Sequence, residues 1–213
     1  MHSTMAVHEE EIIHPGHHAP EPPVKHSLWA TSILFTVITA VIFGLIYPLV
    51  ITGIAHVLFP RQAAGSLIVR NGQVIGSELI AQSFTSDKYF HPRPSNAGNG
   101  YDATASSGTN LAQSNAKLPQ RMQADIDKLH AENPTTPVPI DAVTYSASGL
   151  DPDITPDNAY FQAPRVAKAR GLTVDQVNAI IAQHIEHRTL GFIGEPRVNV
   201  LDLNIALDNT PSK

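Results

Sequence analysis

The chain has 213 residues, of which 42% are hydrophobic and 15% charged, with a formal net charge of −5. So few charges exclude an ordinary soluble composition, which carries roughly 25%, and the apolar content excludes a fully disordered chain. The absence of cysteine excludes disulfides, Cys-ligated zinc, Fe–S clusters and thiol catalysis, and the interspersed charges form no basic patch for nucleic acid.

Residues 1–26 hold four acids, one lysine, four prolines and six histidines. Such a segment buries too little apolar surface to offset its conformational entropy, and it reads as a disordered tail. His14, His17 and His18 could chelate a stray metal, but a solvated biased tract is the plainer reading.

Residues 27–59 contain no Asp, Glu, Lys or Arg. A bilayer core needs roughly 20 apolar helical residues, so this longer run predicts a tilted or kinked transmembrane helix. Trp29 and Tyr47 suit the interfaces, and Pro48 predicts a kink. A cleaved signal peptide would have a shorter apolar region and a small-residue cleavage site. Ser32, Thr36, Ala40, Gly44 and Pro48 recur every four residues. Small residues at this spacing let another helix approach closely, so this ridge is a candidate docking face. Lys25 precedes the span, and Arg61 and Arg70 follow it. That excess of one cation would place the larger part on the cytoplasmic side.

Residues 60–213, 154 in all, are long enough for one domain with its own core. The expected fold class is α+β: the single transmembrane helix, then one mixed α/β extramembrane domain with an N-terminal β-hairpin and several helices. Residues 66–77 read as that hairpin, with Asn71-Gly72 as its two-residue turn, and residues 78–82 could continue the second strand. Residues 91–116 are dominated by Pro, Gly, Asn and Ser and predict a long loop, a length that is usually functional or disordered. Residues 117–132 predict a helix with Met122, Ile126 and Leu129 on one face, stopped by Asn133-Pro134. A short extended piece is expected at 140–145.

Thr155-Pro156 opens a further helix as cap and first residue. Pro164 is expected to interrupt it, and Gly171 to end the stretch 165–170 with a left-handed cap. Thr173 and Gln176 form a capping box for a helix expected to run to about His187. Residues 199–208 fit either period; a helix capped by Asn199 is preferred.

Chemical motifs fail one by one. No Gly is followed by Lys, so no phosphate-cradling P-loop is present. Gly98-x-Gly100-x-x-Ala103 lies inside the long loop, not between a strand and a helix. Asp151-x-Asp153 lacks the calcium loop's later Gly and Glu. His184 and His187 are three apart, not the four of a zinc protease helix. The residues alone leave two classes open: an accessory subunit of a membrane complex, or a membrane-anchored enzyme with a scattered active site.

Six ordered phrases carry a resemblance. They are Leu79-Ile80-Ala81-Gln82-x-Phe84; Tyr89-Phe90-His91-Pro92-Arg93-Pro94-Ser95; Ser107-Gly108-Thr109-Asn110-Leu111; Ser146-Ala147-Ser148-Gly149-Leu150-Asp151-Pro152; Pro164-Arg165-Val166-Ala167-x-Ala169-Arg170; and Gly194-Glu195-Pro196-Arg197-Val198-Asn199-Val200-Leu201-x-Leu203-Asn204-x-Ala206-Leu207-Asp208. With the N-terminal span, they make the chain over about residues 28–208 resemble the C subunit of the Kdp potassium-transporting ATPase. Pro92 stands where the family pattern has Gly, and the His/Pro-rich tail lies outside that pattern.

The resemblance implies a subunit of a complex in the cell inner membrane that takes up potassium at high affinity using ATP. Its implied partners are a channel-like potassium-binding subunit and a P-type ATPase subunit. No cofactor of its own is implied; ATP and potassium belong to the complex. The chain lacks the Asp-Lys-Thr-Gly-Thr phosphorylation motif, and one span cannot form a potassium filter alone. Two roles are associated with the family: a chaperone that raises the ATP affinity of the pump subunit, and an external cap that assembles the complex near the potassium entrance. The family's extracytoplasmic placement of this domain opposes the cation count above. It also requires any effect on ATP to be coupled through the span; with no phosphate cradle here, the cap is preferred. The ridge Ser32, Thr36, Ala40, Gly44 would dock the channel-like subunit. Residues 84–111 and 151–170 would contact it as well, with Arg93, Asn110, Asp151 and Arg165 as candidates. The competing expectation is that Asp151 and Arg165 only cap helices or pair with each other.

Overall fold

A computed structural model describes residues 27–210; the expectations for residues 1–26 lie outside the described residues. Compact packing divides the described chain between Gly53 and Ile54. The apolar run forms helix α1 (Leu28–Val41), a π-helical turn (Ile42–Ile46) and helix α2 (Tyr47–Leu58). Together they make 31 residues. At about 1.5 Å per residue this exceeds the roughly 30 Å of a hydrocarbon core. None of these residues is buried. Ser27 caps the start, its Oγ accepting from the Ala30 N–H at 3.5 Å.

Pro48 does not break the helix; the turn just before it widens. Proline supplies no N–H to the carbonyl four residues back, and the Tyr47 N–H donates to the Ile42 carbonyl, five residues back. The backbone adjusts as a π-turn, which keeps polar groups inside the helix.

After the short helix α3 (Pro60–Ala63), strands β1 (Leu67–Arg70) and β2 (Gln73–Ser77) pair antiparallel. Asn71 (φ 53°) and Gly72 (φ 76°) form the expected turn, whose twist matches that of the strands. Pairing of Ile68 with Gly76 beside Val69 with Val74 leaves Ile75 as a bulge. Residues 78–82 do not extend β2. The Ser77 hydroxyl accepts from the Leu79 N–H at 3.2 Å and the Ile80 N–H donates to the Ser77 carbonyl at 3.4 Å, which turns the chain.

Residues 91–116 contain neither helix nor strand, yet they are pinned. The Ser95 hydroxyl donates to the Gly149 carbonyl at 2.6 Å and accepts from the Ala97 and Tyr101 N–H groups. The Ser107 N–H and the Ser106 hydroxyl both donate to the Ser148 carbonyl at 2.9 Å. Gly149 is the point of closest approach. Its φ is +70°, and a Cβ there would stand 2.7 Å from both the Ala97 nitrogen and the Ser107 carbonyl oxygen.

Helix α4 (Lys117–Glu132) has the expected bounds. The Asn115 side chain accepts from the Lys117 N–H at 3.0 Å, and the Asn133 N–H closes the end on the Leu129 carbonyl. Residues 140–143 are not extended but form a helical turn, α5 (Ile140–Val143). The Thr144 hydroxyl donates back to the Ile140 carbonyl at 2.7 Å, and buried Asp141 is held by bonds from Thr155 and Asn158.

Helix α6 (Pro156–Arg170) runs through Pro164 without interruption. Proline removes the donor to the carbonyl four residues back, on Tyr160. The neighbouring Phe161 carbonyl accepts from the Asn133 amide at 3.0 Å. Ala159, Ala163, Val166 and Ala167 are buried in the core on this helix, so packing on both sides of Pro164 keeps it continuous. Gly171 (φ 68°) caps it in the left-handed conformation as expected. Helix α7 (Val174–Gln183) carries the expected capping box but ends four residues early. Residues 185–186 pair instead with the sheet, because Ile185 and Glu186 lie opposite Val198 and Arg197.

That sheet has three short antiparallel strands in the order β3 (Asp153–Ile154), β5 (Arg197–Asn199), β4 (Ile185–Glu186). Asn199 then caps helix α8 (Val200–Asp208), accepting from the Leu201 and Asp202 N–H groups. The core lies among α6, α7, α8 and β5, where Val177, Ile181, Val198, Leu203 and Leu207 are fully buried with Phe90. The alanine face of α6 suits close helix approach, since small side chains set short interaxial distances.

Gly149→Ala combines a left-handed alanine with a backbone clash. It is expected to lower unfolding free energy by about 2–4 kcal/mol. Chemical denaturation of the full chain in detergent measures this; an unchanged midpoint would contradict the packing described.

Candidate functional site

The most constrained polar feature is built on α6. Thr155 caps it, accepting from the Asn158 N–H at 3.1 Å, which brings Asn158, Gln162 and Arg165 to one face by helical periodicity. Buried Asp141 accepts from the Thr155 N–H (2.8 Å), the Thr155 hydroxyl (3.0 Å) and the Asn158 amide (3.0 Å). The Asn158 carbonyl oxygen accepts from the Gln162 amide at 2.9 Å.

Gln162 then grips a neighbouring segment. Its Oε1 accepts from the His91 N–H at 2.8 Å and its Nε2 donates to the His91 carbonyl at 3.0 Å. Asn204 of α8 does the same to Phe90, accepting from its N–H at 2.8 Å and donating to its carbonyl at 3.0 Å. Both peptide groups of each residue are thus matched by one amide side chain. Arg165 adds bonds to the Asp87 and Tyr89 carbonyls at 2.8 and 3.0 Å, and one to Gln162 at 2.6 Å.

A cleft of about 450 Å³ opens beside this clamp. Its walls include Asp125, Lys128 and Glu132 of α4, Arg165 of α6, and Asp87, His91 and Tyr101. Burial, and then the Arg165 charge, push the His91 imidazole below its ordinary 6.5; its Nε2–H donates to the Ser86 carbonyl at 3.2 Å. Burial, and then Tyr145, push the Tyr101 hydroxyl up to about 12, and that hydroxyl donates to the Arg93 carbonyl at 2.9 Å. Burial lowers Arg165, against the opposing charges of Glu132 and Asp87. Arg121 stacks over the Tyr145 ring at 3.9 Å, which holds α4 to this wall.

The sequence candidates separate into groups. Arg93 and Asp151 come together at 2.8 Å, and Arg93 also donates to the Thr144 and Tyr145 carbonyls. Arg165 does not join that pair; its neighbours are the clamp and Glu132, 3.8 Å away. Asn110 is exposed, with φ 52°. Ser32, Thr36 and Ala40 lie exposed on α1, and Gly44 lies in the π-turn. Sequence reasoning missed Asp141, Asn158, Gln162 and Asn204. The available signal was the polar spacing 158, 162, 165 on one face of a helix, and a lone Asn within the apolar run of α8. Among the described residues no group of three or more His, Asp or Glu is placed to hold a metal ion.

An uninterrupted apolar helix followed by a polar-clamped α/β body defines a membrane protein with one candidate span. A family model, K+-transporting ATPase, c chain (KdpC), matches residues 29–209. The potassium-transporting ATPase KdpC subunit of Koribacter versatilis (strain Ellin345) is 54% identical over 180 residues, covering 84% of this chain and 93% of the relative. That of Acidobacterium capsulatum is 58% identical over 180 residues, covering 84% and 96%. That of Rhodopseudomonas palustris (strain BisB5) is 52% identical over 194 residues, covering 85% and 96%. The chain belongs to the KdpC family.

His91 sits below 6.5 in the folded state, so on acidification the unfolded chain takes up its proton first. Its contribution is intact above about pH 6.5 and is lost as pH falls through the folded value. The raised carboxyls of Asp153 and Asp202, both shifted up chiefly by burial, act in the opposite direction at lower pH. The thermal midpoint of the full chain in detergent is expected to drop between pH 7.5 and pH 5.5, and His91→Asn to flatten that drop.

Proposed function

We propose that this chain is the non-catalytic accessory subunit of an ATP-driven, high-affinity potassium uptake complex. The observation that carries this reading is the match of one family model to residues 29–209, covering both the apolar helix and the body. The relatives' name, potassium-transporting ATPase KdpC subunit, supports membership of a multi-subunit assembly. In this reading residues 1–26 are a tail, 27–59 the membrane span, and 60–213 an extracytoplasmic domain at the cell inner membrane. Its partners are a channel-like potassium-binding subunit and a P-type ATPase subunit. ATP and potassium are used by the complex, and the chain brings no cofactor of its own.

The domain acts as an external cap that assembles the complex near the potassium entrance. The arginines support this over nucleotide contact. Arg93 and Arg165 spend their N–H groups on main-chain carbonyls and neighbouring side chains, so they shape the surface of residues 84–111 and 151–170. The ridge Ser32, Thr36, Ala40, Gly44 supplies the helix-docking face in the membrane.

Topology tests the cap. The chain has no native cysteine, so single cysteines at Ser3 and, separately, Ser212 report without background. A membrane-impermeant maleimide on intact cells is expected to label position 212 alone. Labelling at position 3 alone would place the domain beside cytoplasmic ATP and overturn the external cap.

Alanine substitutions test the contact surface. Arg93→Ala and Asp151→Ala each break a charge-assisted bond and should lower stability by about 2 kcal/mol. Asn110→Ala, at an exposed position held at φ 52°, should lower it by about 1–2 kcal/mol, the cost of a left-handed alanine. All four variants, with Arg165→Ala, are expected to weaken complex assembly or potassium affinity; normal high-affinity uptake in all four would overturn this surface.

A further inference from the structure

Three large apolar side chains stand out together beyond the apolar helix: Leu190, Phe192 and Ile193 are 79%, 72% and 51% exposed. They form the tip of a tight hairpin-like turn. Thr189 and Ile193 pair across it, the Thr189 N–H donating to the Ile193 carbonyl at 2.9 Å and the Ile193 N–H to the Thr189 carbonyl at 3.0 Å. The Gly191 N–H donates to the Arg188 carbonyl at 3.0 Å, and Arg188 and Glu195 join across the base at 2.5 Å.

The turn is shaped at some expense. Leu190 is held at φ 55°, a left-handed conformation that costs an L-residue about 1–2 kcal/mol. Its side chain buries nothing in this chain's core to offset that. A strained, hydrogen-bonded turn that presents apolar groups to water is preorganised for a partner, which lowers the entropy lost on binding.

The charges around the turn identify the class of partner. A lipid surface recruits apolar tips with free basic residues beside them. Here Arg188 is paired with Glu195, and Arg197 is paired with Glu186 at 2.7 Å and Asp153 at 3.1 Å. The arginines beside the tip are therefore neutralised within the chain. A neutral rim around aromatic and aliphatic side chains complements an uncharged apolar pocket on a protein, where such anchors supply most of the binding energy.

We propose that the 189–193 turn is an anchor that seats Phe192 and Leu190 in an apolar pocket on another subunit of the potassium-transporting complex. This deepens, and rests on, the accessory-subunit reading.

The test uses the full chain assembled in its own membranes, with the photoreactive residue p-benzoyl-phenylalanine replacing Phe192. An adduct with another subunit of the complex is expected. An adduct with lipid, an adduct with a second copy of this chain, or no adduct while the complex still co-purifies overturns the anchor and leaves the accessory reading standing. Failure of the unsubstituted chain to co-purify with any potassium-transport subunit overturns the accessory reading and the anchor with it. Phe192→Asp is expected to weaken retention in the complex by about 30-fold, as for a central apolar anchor, with Phe192→Leu restoring most of it. Because the side chain is exposed, neither variant should move the chain's thermal midpoint; equal retention of Phe192→Asp and the unsubstituted chain overturns the anchor.

Discussion

The peptide groups of Phe90 and His91 must be hydrogen-bonded without a strand to pair with, and much of the body is arranged around that requirement. Phe90 is fully buried, and an unpaired buried amide or carbonyl costs about 1–3 kcal/mol. The strands of the three-stranded sheet are only two or three residues long and supply no ladder at this point. Asn204 and Gln162 act as substitutes, each offering one donor and one acceptor at the spacing of a peptide group. The rotation of α6 and α8 about their axes is thereby set. Gln162 has to face the loop while Ala163 and Val166 face the core, and Asn204 has to do so between Leu203 and Leu207.

The same constraint spreads outward through arginines. Arg170, on the last turn of α6, donates to the Lys88 carbonyl at 2.6 Å, the Leu207 carbonyl at 3.0 Å and Asp208 at 2.8 Å. It ties the loop to the end of α8, where cations also complement the helix dipole. Tyr89 bonds Asp208 at 3.1 Å, and Arg70 of the hairpin bonds Asn209 at 2.9 Å. The long irregular stretch is ordered because its backbone groups have designated side-chain partners. The apolar helix meets the same demand differently, satisfying its backbone within itself as hydrocarbon requires, with a π-turn where Pro48 lacks the donor.

What could be read from the sequence follows from how local each determinant is. The apolar span, the Asn71-Gly72 turn and the caps at Thr155, Thr173, Gly171 and Asn199 depend on a few adjacent residues, and the structure has them where their chemistry puts them. The misreadings are places where distant contacts decide. Pro164 stays helical because the core packs both flanks. Helix α7 ends at Gln183 because Ile185 and Glu186 find partners on β5, and strands that short leave no period to detect. The site was only half legible. Arg93, Asp151 and Arg165 stood out as charges in turn-rich segments, but nothing local says that Arg93 pairs with Asp151 while Arg165 serves a different loop. Gln162 was silent, and Asn204 stood in the last family phrase without a role, because an amide on a helix usually reads as a solvated residue.

The use of the arginines bears on which role the body can perform. A guanidinium recognises phosphate or carboxylate well because it presents a fork of donors. In Arg93, Arg165 and Arg170 those donors already hold main-chain carbonyls and neighbouring side chains. Turning any of them toward a nucleotide would release the loop it supports and give up its part-buried, charge-assisted hydrogen bonds. Anion binding at these positions is therefore coupled to unfastening the surface. A surface whose Arg93, Arg165 and Arg170 are committed internally is better suited to present a fixed shape to a neighbour than to capture a charged ligand with them. That favours the proposed cap, with recognition carried by shape and by neutral apolar contact.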